Sequence, residues 1–184
     1  VTPHASALAA LGVEGPPRER LAAYLDQVAA WSPRVNLTGA RSAEERARIL
    51  VEPVLGAASF VAGRLLDIGS GNGSPGLVLA LLRPELSVTL LEPRLKRWAF
   101  LRDAARAVGR SQLEVLRARH DEYAGPPAAT VTVRALALAP DDLAPLVVPG
   151  GQLLVFGPRP EPGPAFEASV EDHGSFHRLR RLDA

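Results

Sequence analysis

Leu21, Tyr24, Leu25 and Val28 recur at helical spacing between residues 18 and 31, which predicts an amphipathic helix that packs its stripe into a core and ends before Pro33. The segment Asn36-Leu37-Thr38 is polar and turn-like. Ser42, with Glu45 three residues on, has the spacing of a capping box and predicts a helix running to about Gly56, which Pro53 should kink or end. From Arg64 onward the pattern changes to short aliphatic runs separated by helical stretches, the signature of a parallel sheet covered by helices on both faces, an α/β fold. Strands are predicted at 65–69, 87–92, 113–116, 130–134 and 152–156, with helices at 75–82, 95–108 and 141–146. Beyond a proline-rich connector at 158–164, segments 166–171 and 176–182 predict an antiparallel hairpin across Asp172-His173-Gly174-Ser175. Right-handed crossovers then bring the loops carrying Gly69, Glu92, Arg119 and Arg134 to one edge of the sheet, where an active site is expected.

Composition narrows this picture. The 184 residues fit one compact domain, read as a helical cap over 1–60 and a core over 61–184. No apolar run is long enough to cross a bilayer uninterrupted, and residues 1–11 lack the basic start and cleavage site of a secretory signal, so a soluble cytoplasmic protein is expected. Cysteine is absent, which excludes disulfides, thiolate metal sites and cysteine nucleophiles. His4, His120, His173 and His177 are scattered without metal-ligand spacing; each is read as a solvated or hydrogen-bonded surface residue, and no metal is implied. With a formal net charge of only +1, a nucleic-acid partner must be met by a local patch.

The run Leu65-Leu66-Asp67-Ile68-Gly69-Ser70-Gly71-Asn72-Gly73-Ser74-Pro75-Gly76 reads as a buried strand emptying into a glycine loop that opens a helix. Its glycines permit close approach of a ligand to the backbone, and the helix start offers unpaired N–H groups. Glu92 lies at the distance where an acid would hold ribose hydroxyls. A dinucleotide would bring its pyrophosphate beside Asp67, where like charges meet. S-adenosylmethionine has no phosphate and carries a sulfonium and an ammonium, so the acid favours this methyl donor over NAD. A plain packing turn is the remaining reading of the loop.

Four segments in register carry a resemblance. They are Trp31-Ser32-Pro33-Arg34-Val35-Asn36-Leu37-Thr38, the glycine loop with its proline, Leu90-Leu91-Glu92-Pro93-Arg94-Leu95-Lys96-Arg97 continuing to Arg102, and Val133-Arg134-Ala135. With these motifs the chain resembles the RsmG (GidB) family, methyltransferases that modify N7 of a guanine in small-subunit ribosomal RNA. The resemblance implies a class I methyltransferase sheet with a helical cap, S-adenosyl-L-methionine as cofactor, and as partner the small-subunit RNA, naked or in the assembled 30S subunit. Gly69, Gly71 and Gly73 are expected to line the methionine part of the cofactor, Glu92 the ribose, and Arg119 to Glu122 the neighbourhood of the adenine. Asp67, Ser70, Pro93, Arg119 and His120 are counted with them as cofactor-binding residues. Arg134 is expected to face the substrate as the catalytic residue, in a monomer. Ile49 stands where the family has a histidine, Glu52 and Pro53 where it has Asp-Ser, Ser74 where it has a phenylalanine, and Phe156 where it usually has a lysine. These departures motivate a second reading, a non-catalytic relative that binds the cofactor or RNA as an assembly or sensing module.

Methyl transfer to N7 is an in-line displacement onto a lone pair with no proton to lose, so no general base is needed. Arg134 can donate to O6 of the guanine without consuming N7; otherwise it is a cation at a strand end. Arg94, Lys96, Arg97, Arg102, Arg106 and Arg110 form a basic stretch, read either as a phosphate-tracking strip or as a solvated face. Trp98 and Phe100 are expected in the core, and Arg178, Arg180 and Arg181 on a half-exposed strand.

Overall fold

The computed structural model describes residues 1–171 and 173–183. Before the sheet come α1 (Pro3–Ala10), α2 (Gly15–Trp31), α3 (Ala43–Leu50) and α4 (Glu52–Leu55), the last passing into a 3-10 turn (Gly56–Ser59). Helix α1 was not expected from the apolar pattern. Its start is nevertheless written in the chain, because Thr2 caps the Ala5 N–H and Pro3 occupies the first turn, where no N–H is needed. His4 is buried, against expectation, and bolts three helices together. Its Nδ1 donates to Asp26 of α2 at 2.5 Å, while its Nε2 accepts from Arg46 Nε of α3 at 3.2 Å.

The capping box forms as predicted: the Glu45 N–H donates to Ser42 Oγ at 3.1 Å, and the Ser42 N–H donates back to the Glu45 carboxylate. The helix it starts does not run to Gly56. It breaks at Val51, two residues before Pro53, because the proline ring excludes the carbonyl four residues back and pushes its predecessor away from helix.

The sheet is built from β1 (Arg64–Ile68), β2 (Ser87–Leu91), β3 (Glu114–Leu116), β4 (Ala128–Arg134), β5 (Val147–Phe156), β6 (Phe166–Ala168) and β7 (His177–Arg181), in the order β3-β2-β1-β4-β5-β7-β6. Strands β1 to β5 pair in parallel, and β7 runs antiparallel to both β5 and β6. Of the predicted hairpin turn, Asp172 lies outside the described residues. Strand β5 begins five residues earlier than its apolar pattern suggests; Gly150, at φ 72°, lets the chain turn within it.

Helices α5 (Gly76–Leu82) and α6 (Leu95–Ala107) cover one face and α7 (Pro140–Leu143) the other. Side chains of β1 alternate between the two cores: Leu65 packs with Leu25, Leu77 and Phe100, Leu66 with Val131, Leu143 and Leu153. Cap residues such as Leu8 and Leu21 share the first core with the sheet, so cap and sheet form one packed unit. Among the described residues no helix is long and apolar enough to cross a membrane.

Replacing Ser42 by Ala should lower unfolding free energy by about 1 kcal/mol, whereas Ser42→Asp should preserve it. Urea unfolding, read as a midpoint shift at constant slope, checks this.

Candidate functional site

The strand order reverses direction between β1 and β4, and the loops leaving the strand C-termini diverge there. A cavity of about 410 Å³ opens at this edge, lined among others by Gly69, Glu92, Pro93, Arg97, Arg119 and His120. Leu136 and Leu138, from the loop after β4, supply an apolar wall. Ala135 turns that loop with φ 54°, a left-handed conformation that a side chain rarely adopts. This sets Leu136 against Gly69, where a Cβ would stand 2.5 Å from its Cδ1.

Glu92 is buried and fixed at both oxygens: the Gly71 N–H donates to Oε2 at 2.9 Å and the Arg94 N–H to Oε1 at 2.8 Å. One carboxylate thereby joins the loops of β1 and β2. The Ser70 N–H, donating to the Leu91 carbonyl at 2.8 Å, repeats the link. Each oxygen of Glu92 keeps a lone pair for a hydroxyl donor.

Asp67 sits below the loop, not in the cavity wall, with no solvent exposure. Thr132 of β4 donates to its Oδ1 at 2.6 Å, and Oδ2 has no hydrogen-bond partner. Burial pushes its carboxyl up to about 6, only partly offset by the Thr132 hydroxyl. The carboxylate lies against Gly76, the first residue of α5, where an added Cβ would meet Oδ2 at 2.4 Å. Gly73 also faces inward, with its absent Cβ 3.1 Å from the Tyr24 ring.

The loop is tied to the cap by bonds that the sequence patterns did not reveal. Tyr24 donates its hydroxyl to the Asn72 carbonyl at 2.8 Å, and burial pushes that phenol upward. Asn72 Nδ2 donates to the Leu37 carbonyl at 2.9 Å, and Arg97 Nη2 to the Asn36 carbonyl at 3.0 Å. Tyr24 stood out in the helical stripe, Asn36 and Leu37 in the polar segment, Asn72 in the glycine loop and Arg97 in the basic stretch, but no sequence pattern pointed to these partners.

Arg134 lies on this seam as well. Its Nη1 donates to Ser74 Oγ at 2.7 Å and its Nη2 to the Ile49 carbonyl at 2.8 Å, while Ser74 Oγ donates to the Leu50 carbonyl at 2.7 Å. Ile49 and Ser74, two of the departures noted above, are thus both partners of Arg134. Phe156, a third, is buried against Phe176.

The basic stretch does not act as one strip. Arg110 is buried and donates to the Pro84 carbonyl at 2.8 Å, a bond set by the fold and invisible to helical spacing. Arg106 pairs with Asp103, and Arg102 lies over the Trp98 ring. Phe100 is core; Trp98 is half-buried, its Nε1 donating to the Val115 carbonyl. Arg119 is held by both oxygens of Asp121. Arg178 donates to Gln152 and lies over Phe60, and the His173 side chain is buried against Phe60 and Phe176, where a solvated or hydrogen-bonded surface position was expected. Among the described residues no three His, Asp or Glu side chains converge as metal ligands.

Comparison with known proteins identifies relatives of this chain and of its fold. Residues 18–156 match the family model for rRNA small subunit methyltransferase G, GidB. The protein of that name from Halorhodospira halophila is 38% identical over 147 residues, covering 77% of this chain and 70% of that protein. Its namesake from Thermobifida fusca is 41% identical over 121 residues, covering 64% and 48%. The match thus spans from about half to 70% of the length of these relatives. An RNA methyltransferase from Salinibacter ruber, solved with S-adenosyl-L-homocysteine, has a TM-score of 0.53 at 20% identity, covering 66% of this chain and 82% of that one. YjhP from E. coli gives 0.51 at 20% identity, covering 70% and 54%. These two likenesses are of fold.

Two outcomes follow from the packing under the loop. A carboxyl raised from 3.8 to about 6 in the folded state binds a proton that the unfolded chain has released, so it subtracts stability as pH rises from about 4 to about 6. Asp67→Asn should remove that part of the pH dependence, seen as a difference between the two unfolding profiles that changes between about pH 4 and about pH 6 and is constant above about pH 7. Gly76→Ala should cost about 1–3 kcal/mol in the same measurement, because a buried carboxylate has no room to yield.

Proposed function

Since this chain belongs to the rRNA small subunit methyltransferase G family, we propose that it transfers a methyl group from S-adenosyl-L-methionine to N7 of a guanine in small-subunit ribosomal RNA. The observation that carries this reading is Glu92, fixed by two backbone N–H groups at the wall of a cavity beside Gly69 that combines apolar Leu136 and Leu138 with the basic side chains Arg94, Arg97 and Arg119.

The residues present suit the cofactor. Glu92 and Pro93 would receive the ribose, its hydroxyls donating to the free lone pairs of the carboxylate. Arg119 and His120, with Leu138 opposite, would border the adenine. Gly69 and Gly71 leave the backbone bare for the methionyl part. Asp67, Ser70 and Gly73 serve the same site from beneath by shaping the loop, and the unpartnered Oδ2 of Asp67 adds negative potential under a cationic ligand. When bound, the cofactor supplies an electrophilic methyl group; the chain's part is to align it with the base and exclude water.

Arg134 spends two of its five N–H groups on the seam, and the others remain for O6 of the base. Its place at the junction of cap and loop supports a role in seating the base, with the cap (residues 1–60) as the part that meets RNA and the core (61–184) as the part that holds the donor. A substrate in the small ribosomal subunit or its naked RNA supports a cytoplasmic location.

Transfer of tritium from labelled donor to unmodified small subunits, or to their naked RNA, tests the proposal; a well-folded preparation that transfers nothing to either would overturn it. Gly71→Val should abolish donor binding, since a β-branched residue is strained at φ 52° and projects toward Glu92. Arg134→Ala should leave donor affinity unchanged and slow transfer by about tenfold to a hundredfold, the scale of about 1–3 kcal/mol for one oriented base contact. Equal loss of donor binding in both variants would contradict this division of roles.

A further inference from the structure

A carboxylate-bearing ligand faces an electrostatic difficulty in this cavity. Glu92 is in its wall and Asp67 lies beneath the adjoining loop, and both suit the positive groups of a donor while repelling its carboxylate. A cation is needed on the same wall. Four arginines border the region, and three of them are unsuited to the task. Arg119 is occupied by both oxygens of Asp121, Arg134 is turned to the seam with the cap and is not part of the cavity lining, and Arg94 stands exposed on the rim.

Arg97 differs from them. It is half-buried, lines the cavity, and among the described residues forms no ion pair. Its guanidinium is held by the bond from Nη2 to the Asn36 carbonyl, so it does not wander as a free surface arginine would. Its Nη1 lies 3.7 Å from the point over Gly71 where a Cβ would stand, and Glu92 Oε2 lies 3.9 Å from the same point. The vacancy left by the missing side chain of Gly71 is therefore flanked by one fixed acid and one fixed base.

Resting on the cofactor reading above, we infer that Arg97 recognises the carboxylate at the amino-acid end of the methyl donor and so distinguishes the complete donor from nucleosides that lack this group. The planar fork of a guanidinium suits a carboxylate, and removal of either partner would leave a charge in a partly desolvated wall. Selection then works in both directions: Arg97 attracts the carboxylate, and Glu92 with Asp67 repels it once Arg97 is gone.

Calorimetric titration with S-adenosylmethionine and with decarboxylated S-adenosylmethionine, which keeps the sulfonium and ammonium, separates these effects. The wild-type protein should bind the complete donor roughly tenfold to a hundredfold more tightly, the scale of one charge-assisted hydrogen-bonded pair. Arg97→Gln should close that gap while leaving affinity for the decarboxylated compound little changed. Arg97→Lys should keep part of it, and Arg94→Gln all of it. Thermal unfolding of each variant shows that the Asn36 contact has not cost the fold.

The inference is overturned if Arg97→Gln retains the full gap, if it loses both ligands in parallel, or if Arg94→Gln closes the gap instead. A folded wild-type protein that binds neither compound would overturn the cofactor reading itself, a separate outcome from failure of the Arg97 assignment alone.

Discussion

A carboxylate sealed beneath the glycine loop organises everything above it. Burying Asp67 without a charged partner is costly, and a single short bond from Thr132 only partly compensates. That bond ties β1 to β4 at the point where the sheet changes direction. The same carboxylate demands a residue without a Cβ at the head of α5, which fixes how the helix meets the strand. With helix and strand locked, the Gly71 N–H can aim at Glu92, and the cavity acquires its acidic wall.

A second layer of bonds joins this platform to the cap. Tyr24, Asn72, Arg97 and Arg134 each reach a main-chain carbonyl across the boundary, and Ser74 does so from the loop itself. Backbone carbonyls as acceptors make the seam depend on the path of residues 36–37 and 49–50, with little regard to which side chains those positions carry. Ile49 illustrates this, since only its carbonyl takes part. A chain can therefore depart from the family pattern there and still keep cap and loop together.

How much of this was legible in the sequence follows from the range of each interaction. The capping box at Ser42 and Glu45 spans three residues and was readable directly. The alternation of strands and helices from Arg64 onward was readable too, because burial of both sheet faces leaves uninterrupted aliphatic runs. Glu92 could be placed by its distance from the loop. Helix α1 escaped because its eight residues show little periodicity, although Thr2 and Pro3 marked its start. The inward turn of Gly73, the burial of Arg110 and His173, and the partners of Arg134 depend on residues brought together from distant parts of the chain. No local pattern encodes them.

The antiparallel return of β7 along β5 has a consequence for how the molecule comes into being. Residues 152–155 of β5 are flanked by β4 on one side and by residues 177–180 on the other. During vectorial synthesis the former neighbour is available early, while the latter emerges more than twenty residues after the strand it covers. Until then the nascent sheet carries a long, apolar and unprotected border, the kind of edge that recruits foreign strands. Docking of β7 closes that border, and the short strand β6, three residues long, then forms the outer margin of the sheet.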